Sequence, residues 1–436
     1  MFFKDSVHTL IIRVFGYLFA LAVQVLIANK LGASAKGELQ IVMFVFAILT
    51  LLVGMGFERS IIYFLGTKKY GHREIWANSC TFLAGASVLG FVVLMPALKL
   101  FQPFLGEIRF ELLVLSFLIV PVDRFFSFQL GILNGFGQIR RGNVYSFIHS
   151  LFFALLVGLF LYWLMPSCEG IIYAHVLAYV IAIGFVIYLW RKDIGLSVAF
   201  AFNKGMIVEF FKYGSKGQIG NITNRLASRV DLLMLNYFLG KASAGVYSVA
   251  INFVDVLLFL PFIFAYIIFP HTSRREQEQG WALTEQVTRI SFFGTIVVAI
   301  GLAIFSPLLI KLLFDAEFWS AYKPLWILLP GVVLFSAFRI MASGISGLGY
   351  PFVYSFCTIF TAAIALGLNI LWVQKYQHIG AAWASSIAYA ASFVILMLVV
   401  KFKYKRPLKA FLIITKADIV LAWNHIVQFF GKRGRN

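Results

Sequence analysis

The chain has 436 residues, of which 61% are hydrophobic and 13% charged, and its 37 Lys and Arg outnumber 18 Asp and Glu to give a net charge of +19. Average soluble domains carry about 25% charged residues and no more than about half apolar ones, so the composition excludes an ordinary water-soluble enzyme. The charge alone fits nucleic acid, anionic lipid or membrane topology, and its positions decide among them.

Taken in chain order, apolar segments fall at about 7–31, 38–66, 76–101, 109–133, 143–164, 170–190, 212–239, 246–270, 285–313, 323–345, 352–376 and 380–401. Each is long enough to cross a hydrocarbon layer ~30 Å thick as a helix. The runs do not alternate, which excludes barrel strands and leaves helices, so the predicted fold is all-α and polytopic with about twelve transmembrane helices. The first segment lacks a small-residue cleavage site and reads as a retained helix. Lys68, Lys69, Arg73, Arg140, Arg141, Arg191, Lys192, Arg274, Arg275, Lys401, Lys403, Lys405, Arg406 and Lys409 flank alternate segments. This positive-inside pattern predicts cytoplasmic termini in a multi-pass protein and gives nucleic acid no place.

The polar interval after Arg191 predicts a six-helix bundle over 1–195, a cytoplasmic linker over 196–211 and a second six-helix bundle over 212–401. Residues 402–436 read as a basic, amphipathic cytoplasmic tail that meets anionic membrane lipid. Cys80, Cys168 and Cys357 are isolated, which suggests neither a zinc site nor a disulfide framework. No GxxxxGK[ST] phosphate loop occurs, so ATP hydrolysis is not expected and no cofactor is implied.

Two echoes join the halves. LGASAKGEL after the first segment matches LGKASAGVY after the seventh, with one offset for the pairs Leu31/Leu239, Gly32/Gly240 and Gly37/Gly245. NGFGQ after the fourth segment, with Gly135 and Gly137, is repeated by SGLGY after the tenth, with Gly347 and Gly349. Repeated halves are a common transporter plan, with substrate handled between them near the midplane. The two bundles are therefore expected to be pseudo-symmetric around a central cavity.

LGASAKGELQ, SRVDLLMLNYFLGKASAGVYSVA, the GFG and GLG turns and the twelve-helix length together resemble the Wzx-type polysaccharide flippases of the multidrug/oligosaccharidyl-lipid/polysaccharide exporter superfamily. The resemblance covers nearly the whole chain. It implies a bacterial inner-membrane protein, not an enzyme, that moves an O-antigen or capsule repeat unit on undecaprenyl diphosphate to the periplasmic leaflet. It also implies a polymerase and a chain-length regulator as further partners.

Intramembrane polar residues are the candidates for carrying such a headgroup, because a charge in lipid is costly unless it faces a cavity or a partner. Arg13, Gly16, Ala20 and Gln24 share one face of the first helix, and Gln218, Asn221, Arg225, Leu232 and Asn236 share one face of the seventh. Arg229 flanks that second stripe, and Arg124 and Arg339 lie within the matching fourth and tenth helices. Guanidiniums suit a diphosphate by bidentate hydrogen bonding. Arg13 also fits a headgroup-snorkelling role, and Arg124 an internal role beside Asp123, although adjacent positions diverge on a helix. Asp231 and Asp255 fall at similar depth with Arg229, and with Asp123 they are candidates for ion coupling or gating; a static salt bridge is the alternative for the Arg229, Asp231 and Asp255 group. His149 and His175 lack metal-ligand spacing and read as satisfied core residues. A drug or cation exporter of the same superfamily would want an acidic cavity, against the arginine excess here, and a membrane glycan polymerase would want a long catalytic loop.

Overall fold

The computed structural model describes residues 2–190, 200–215, 218–273 and 276–415; of the earlier expectations, the side chain of Arg13, the residues Arg274 and Arg275, the interval 191–199 and the tail beyond 415 lie outside the described residues. Every regular element among the described residues is a helix. They are α1 (Phe2–Gly54), α2 (Phe57–Gly66), α3 (His72–Phe101), α4 (Phe110–Phe117), α5 (Ile119–Gly135), α6 (Ile139–Leu159), α7 (Cys168–Trp190), α8 (Lys204–Ser215), α9 (Gln218–Ala227) and α10 (Val230–Leu239). The remainder are α11 (Lys241–Thr272), α12 (Gln277–Leu313), α13 (Tyr322–Gly347), α14 (Pro351–Lys403) and the single turn α15 (Lys409–Leu412).

Eight stretches among the described residues are long and apolar enough to cross a membrane. Two of these are hairpins. In a straight helix residues 12 and 16 apart are about 18 and 24 Å apart, yet Lys36 Nζ and Gln40 Nε2 both bond Gln24 Oε1, at 3.0 and 2.8 Å. The chain of α1 therefore reverses at Gly32, where φ is 77° and ψ 174°. It reverses again within α14 at Gln377, which brings Gly380 onto the Trp372 carbonyl. Two further crossings are broken into pieces too short to qualify alone: α4 with α5, interrupted at Leu118, and α9 with α10, interrupted at Ser228 and Arg229. Eight stretches, two hairpins and two broken crossings reproduce the twelve segments read from hydropathy.

Burial follows the solvent. Only 17% of the apolar window of α3 and of α12 is buried, against 72% for the stretch containing α13. Val88, Leu89, Val92, Val93, Leu100 and Phe101 on α3 are exposed, as a lipid-facing stripe requires. Close contacts sort the chain into two units, Met1–Val249 with Lys311–Trp319, and Ala250–Ile310 with Ser320–Asn436. In the second unit, Ala265, Ile268 and Ile340 form a buried cluster against Leu283 and Val287. Gly331 meets Ser386 there with its N–H donated to the hydroxyl at 3.1 Å.

The second half of the expected linker is ordered as α8, which packs on α2 through Phe210 against Phe57 and Phe64. Lys69 and Tyr70 both donate to the Glu209 carboxylate, which holds it below the usual carboxylate range. A depressed carboxylate stabilises the fold above its ordinary pKa of about 4.3 and loses that contribution as pH falls through the lowered folded value, so the contact is fully present at neutral pH. Being exposed, it is worth little. Replacing Glu209 with Gln is expected to raise hydrogen exchange in 204–215 slightly at pH 7 and to leave 218–227 unchanged.

Candidate functional site

Both echoes of the sequence are structural repeats. Gly32 and Gly240 share one backbone conformation, φ 77° and ψ 174° against φ 82° and ψ 170°. That region is essentially reserved for glycine. In each GxG turn a six-residue closure caps the helix: Gln138 N–H to Leu133 O at 2.9 Å, and Tyr350 N–H to Ile345 O at 3.2 Å. Within the first unit the two glycine motifs also pack on each other reciprocally. A Cβ at Gly37 would overlap the Lys241 carbonyl and the Gly245 nitrogen; a Cβ at Gly245 would overlap the Ala33 carbonyl and the Gly37 nitrogen. Because each contact is the other shifted by the repeat offset, the junction has local two-fold character.

Charged side chains staple this junction. Glu38 accepts from Arg109 at 3.1 Å and lies 3.9 Å from Lys241, while Arg109 Nη1 reaches Glu169 at 2.7 Å. Arg109 is fixed in its charged form chiefly by its hydrogen bonding to Glu38. Ala33 N–H donates to Glu317 at 2.9 Å, and Asn29 donates to the Leu313 carbonyl at 2.8 Å.

Gln24 is joined by a group that hydropathy and helix faces did not single out. Lys36 is wholly buried, and its ammonium donates to the Gln24 carbonyl at 3.1 Å and to Gln24 Oε1 at 3.0 Å. Among the described residues no carboxylate lies within ion-pair distance of it. The reversal at Gly32 is what folds this lysine back along the first arm, and a linear helical wheel cannot anticipate that.

Arg124 is paired. Its Nε donates to Asp123 Oδ2 at 2.7 Å and its Nη1 to Glu58 Oε2 at 2.9 Å. Of the two roles open to Arg124, this geometry is the internal one beside Asp123: the long side chain curls back across its own turn, beside Gly54, which leaves it room. Asp123 also accepts from the Tyr179 hydroxyl at 2.6 Å. His149 and His175, read as satisfied core residues, each have one buried ring nitrogen without a hydrogen-bond partner, Nε2 and Nδ1 respectively.

The seventh segment does not carry one continuous stripe, because its helix breaks at Arg229, where φ is −144°. Before the break, Gln218 donates to the Leu51 carbonyl, and Asn221 accepts from Arg59 at 3.1 Å. Arg225 closes α9 and is half-buried, as is Arg229. After the break, Asp231 is buried and bound by its own α10, the Leu232 N–H at 2.8 Å, and by the Tyr247 hydroxyl at 2.9 Å. Asn236 donates to the Leu105 carbonyl. In the second unit Arg339 donates to the Tyr354 hydroxyl at 2.9 Å with its guanidinium 4.5 Å from the Phe262 ring centre, and Asp255 is half-buried on α11. The site residues thus fall in both units, with Asp123 and Arg124 brought into direct contact. No three His, Cys, Asp or Glu side chains among the described residues are grouped to hold a metal.

A family described as "Polysaccharide biosynthesis protein" matches residues 2–276. An uncharacterized membrane protein of Methanocaldococcus jannaschii is 25% identical over 400 residues, 85% of this chain and 78% of that one. A probable low-salt glycan biosynthesis flippase of Haloferax volcanii is 24% identical over 189 residues, 42% of this chain and 40% of that one. Among solved structures, the lipid II flippase MurJ in an inward closed conformation superposes with a TM-score of 0.75 at 18% identity, covering 92% of this chain and 88% of that one. Sharing the fold of that flippase, and matched by the family over more than half its length, this multi-pass membrane protein belongs to the polysaccharide biosynthesis protein family.

Proposed function

We propose that the protein is a flippase, not an enzyme, and that it carries an undecaprenyl-diphosphate-linked oligosaccharide of O-antigen or capsule type from the cytoplasmic to the periplasmic leaflet. Transport proceeds by alternating access and is coupled to a cation gradient. The observation that carries this reading is Lys36: a wholly buried amine beside the Gly32 reversal, bonded to two oxygens of one glutamine and with no carboxylate in reach among the described residues, can take an anionic oxygen as its charge partner. Gln24 shares that site, and Arg225 and Arg229, with Arg13 and Asn221, are proposed to meet the diphosphate and first sugars during transport, as is Arg339 within its own unit. Arg124 belongs with Asp123 and Glu58, which already engage it, and Asp231 and Asp255 are proposed gating carboxylates. The Haloferax volcanii relative named as a probable glycan biosynthesis flippase supports the substrate class.

The test is reconstitution in vesicles holding an undecaprenyl-diphosphate oligosaccharide, with the outer-leaflet glycan read by a membrane-impermeant lectin. Wild type should flip it, and Lys36→Gln should slow flipping severalfold while Lys36→Arg retains it. Efflux of a lipophilic cation without glycolipid flipping would favour the drug-exporter reading instead.

A further inference from the structure

The cluster around Asp123 contains more than an ion pair. Asp123 and Arg124 come from α5, Glu58 from α2, His149 from α6 and Tyr179 and His175 from α7. Two carboxylates and one guanidinium leave an excess of one negative charge, and that excess lies inside the membrane-spanning part of one unit. Next to it stand two imidazoles in an aromatic cage. His149 stacks on Tyr179 at 4.0 Å between ring centres, His175 lies 4.4 Å from Phe153 and 5.2 Å from Tyr179, and the two imidazoles are 5.7 Å apart. Phe126 and Phe46 close the cage at 5.4 and 5.9 Å. The Tyr179 hydroxyl joins cage to carboxylate. Among the described residues Tyr145 is a further titratable group beside the cage, with its hydroxyl donated to Gln129.

We infer that this cluster is the protein's proton-binding site, with one proton held on the His149 and His175 pair and balanced by the excess charge of Asp123, Glu58 and Arg124. Each feature asks for a cation of that size. The two unpartnered ring nitrogens offer the place to hold it, the aromatic faces stabilise an imidazolium as they would any cation, and the surplus carboxylate supplies the counter-charge that a buried cation requires. Three-point ligation of a metal is absent from the described residues, and a proton needs none. Binding adds one proton to an imidazole nitrogen and release returns it, so the cluster alternates between net charges of minus one and zero. Because the participants sit on four helices, that change in charge acts on how α2, α5, α6 and α7 are held together. The coupling role rests on the flippase reading; the proton site does not.

The closing experiment needs no glycolipid. The intact protein, labelled with 15N-histidine, is placed in lipid nanodiscs and its imidazole nitrogen signals are followed over about pH 5 to 8, where histidine changes charge. Assignment comes from His149→Gln and His175→Gln. One of the two signals should convert to the cationic form in wild type, and Asp123→Asn should abolish the conversion in that range. Should Asp123→Asn fail to fold, Glu58→Gln removes the same surplus charge at the half-exposed edge of the cluster and should give the same loss. Two imidazoles that stay neutral down to about pH 5, or a conversion unchanged in these variants, would overturn the site. Vesicles that fail to flip glycolipid while the nanodisc titration succeeds would count against the flippase and leave the proton site standing.

Discussion

Gly37→Leu and Gly245→Leu should each abolish glycolipid flipping in vesicles while leaving membrane insertion intact. The obstruction in both cases is backbone: the Lys241 carbonyl faces one position and the Ala33 carbonyl the other, and neither can rotate out of the way as a side chain would. Overpacking a core commonly costs about 1–3 kcal/mol, and contacts with main chain lie at the upper end because relief demands that two helices part. Alanine at the same sites should give an intermediate loss. Gly158→Leu, on α6 where nothing lies within 4 Å of an added Cβ, is the control and should flip at the wild-type rate. Since a single separation relieves both clashes, the double variant should be destabilised by less than the two single effects combined. Full activity in Gly37→Leu would show that the junction is not under steric constraint.

The second large effect is on stability. Asp123→Ala removes two of the bonds that hold Arg124 and the acceptor of the Tyr179 hydroxyl in one step. Removing one partner of a buried pair typically costs about 3–5 kcal/mol, because the remaining charge keeps its desolvation and loses its compensation. In detergent, Asp123→Ala should therefore unfold many degrees below wild type. Combining it with Arg124→Met should recover much of the loss, as the orphaned guanidinium leaves with its partner. A double variant no more stable than Asp123→Ala would mean that the loss arises elsewhere, in the Tyr179 contact. Glu58→Gln, at a carboxylate 38% exposed, should cost much less.

Much of the fold was legible because its causes are local. Apolar runs of membrane length, basic flanks and glycine pairs at a fixed offset depend on neighbours in sequence, and lipid forces each run to satisfy its own backbone as a helix. The twelve segments and both echoes accordingly reappear. What escaped were consequences of the chain meeting itself. Lys36 draws no notice until Gly32 folds it against Gln24, nor does Glu58 until α5 brings Arg124 to it. His149 and His175 are 26 positions apart with no ligand spacing, and only the packing of α6 on α7 stacks both on Tyr179. The break at Arg229 was missed for a different reason: its flanks carry neither proline nor glycine, so no local signal marks it. The nearest available clue to the Asp123 cluster was the presence of Asp, Arg, His and Tyr in three consecutive apolar segments, where each such group is costly alone.

The one-residue reversals at Gly32 and Gly240 have a practical corollary for mapping this protein in cells. Epitope tags, protease sites and reporter fusions need a solvated tip that can lengthen without moving its stems. Neither hairpin has one, since residues 33–37 and 241–245 are already occupied with each other. Insertions there should silence the protein and be mistaken for evidence that the region is buried in lipid.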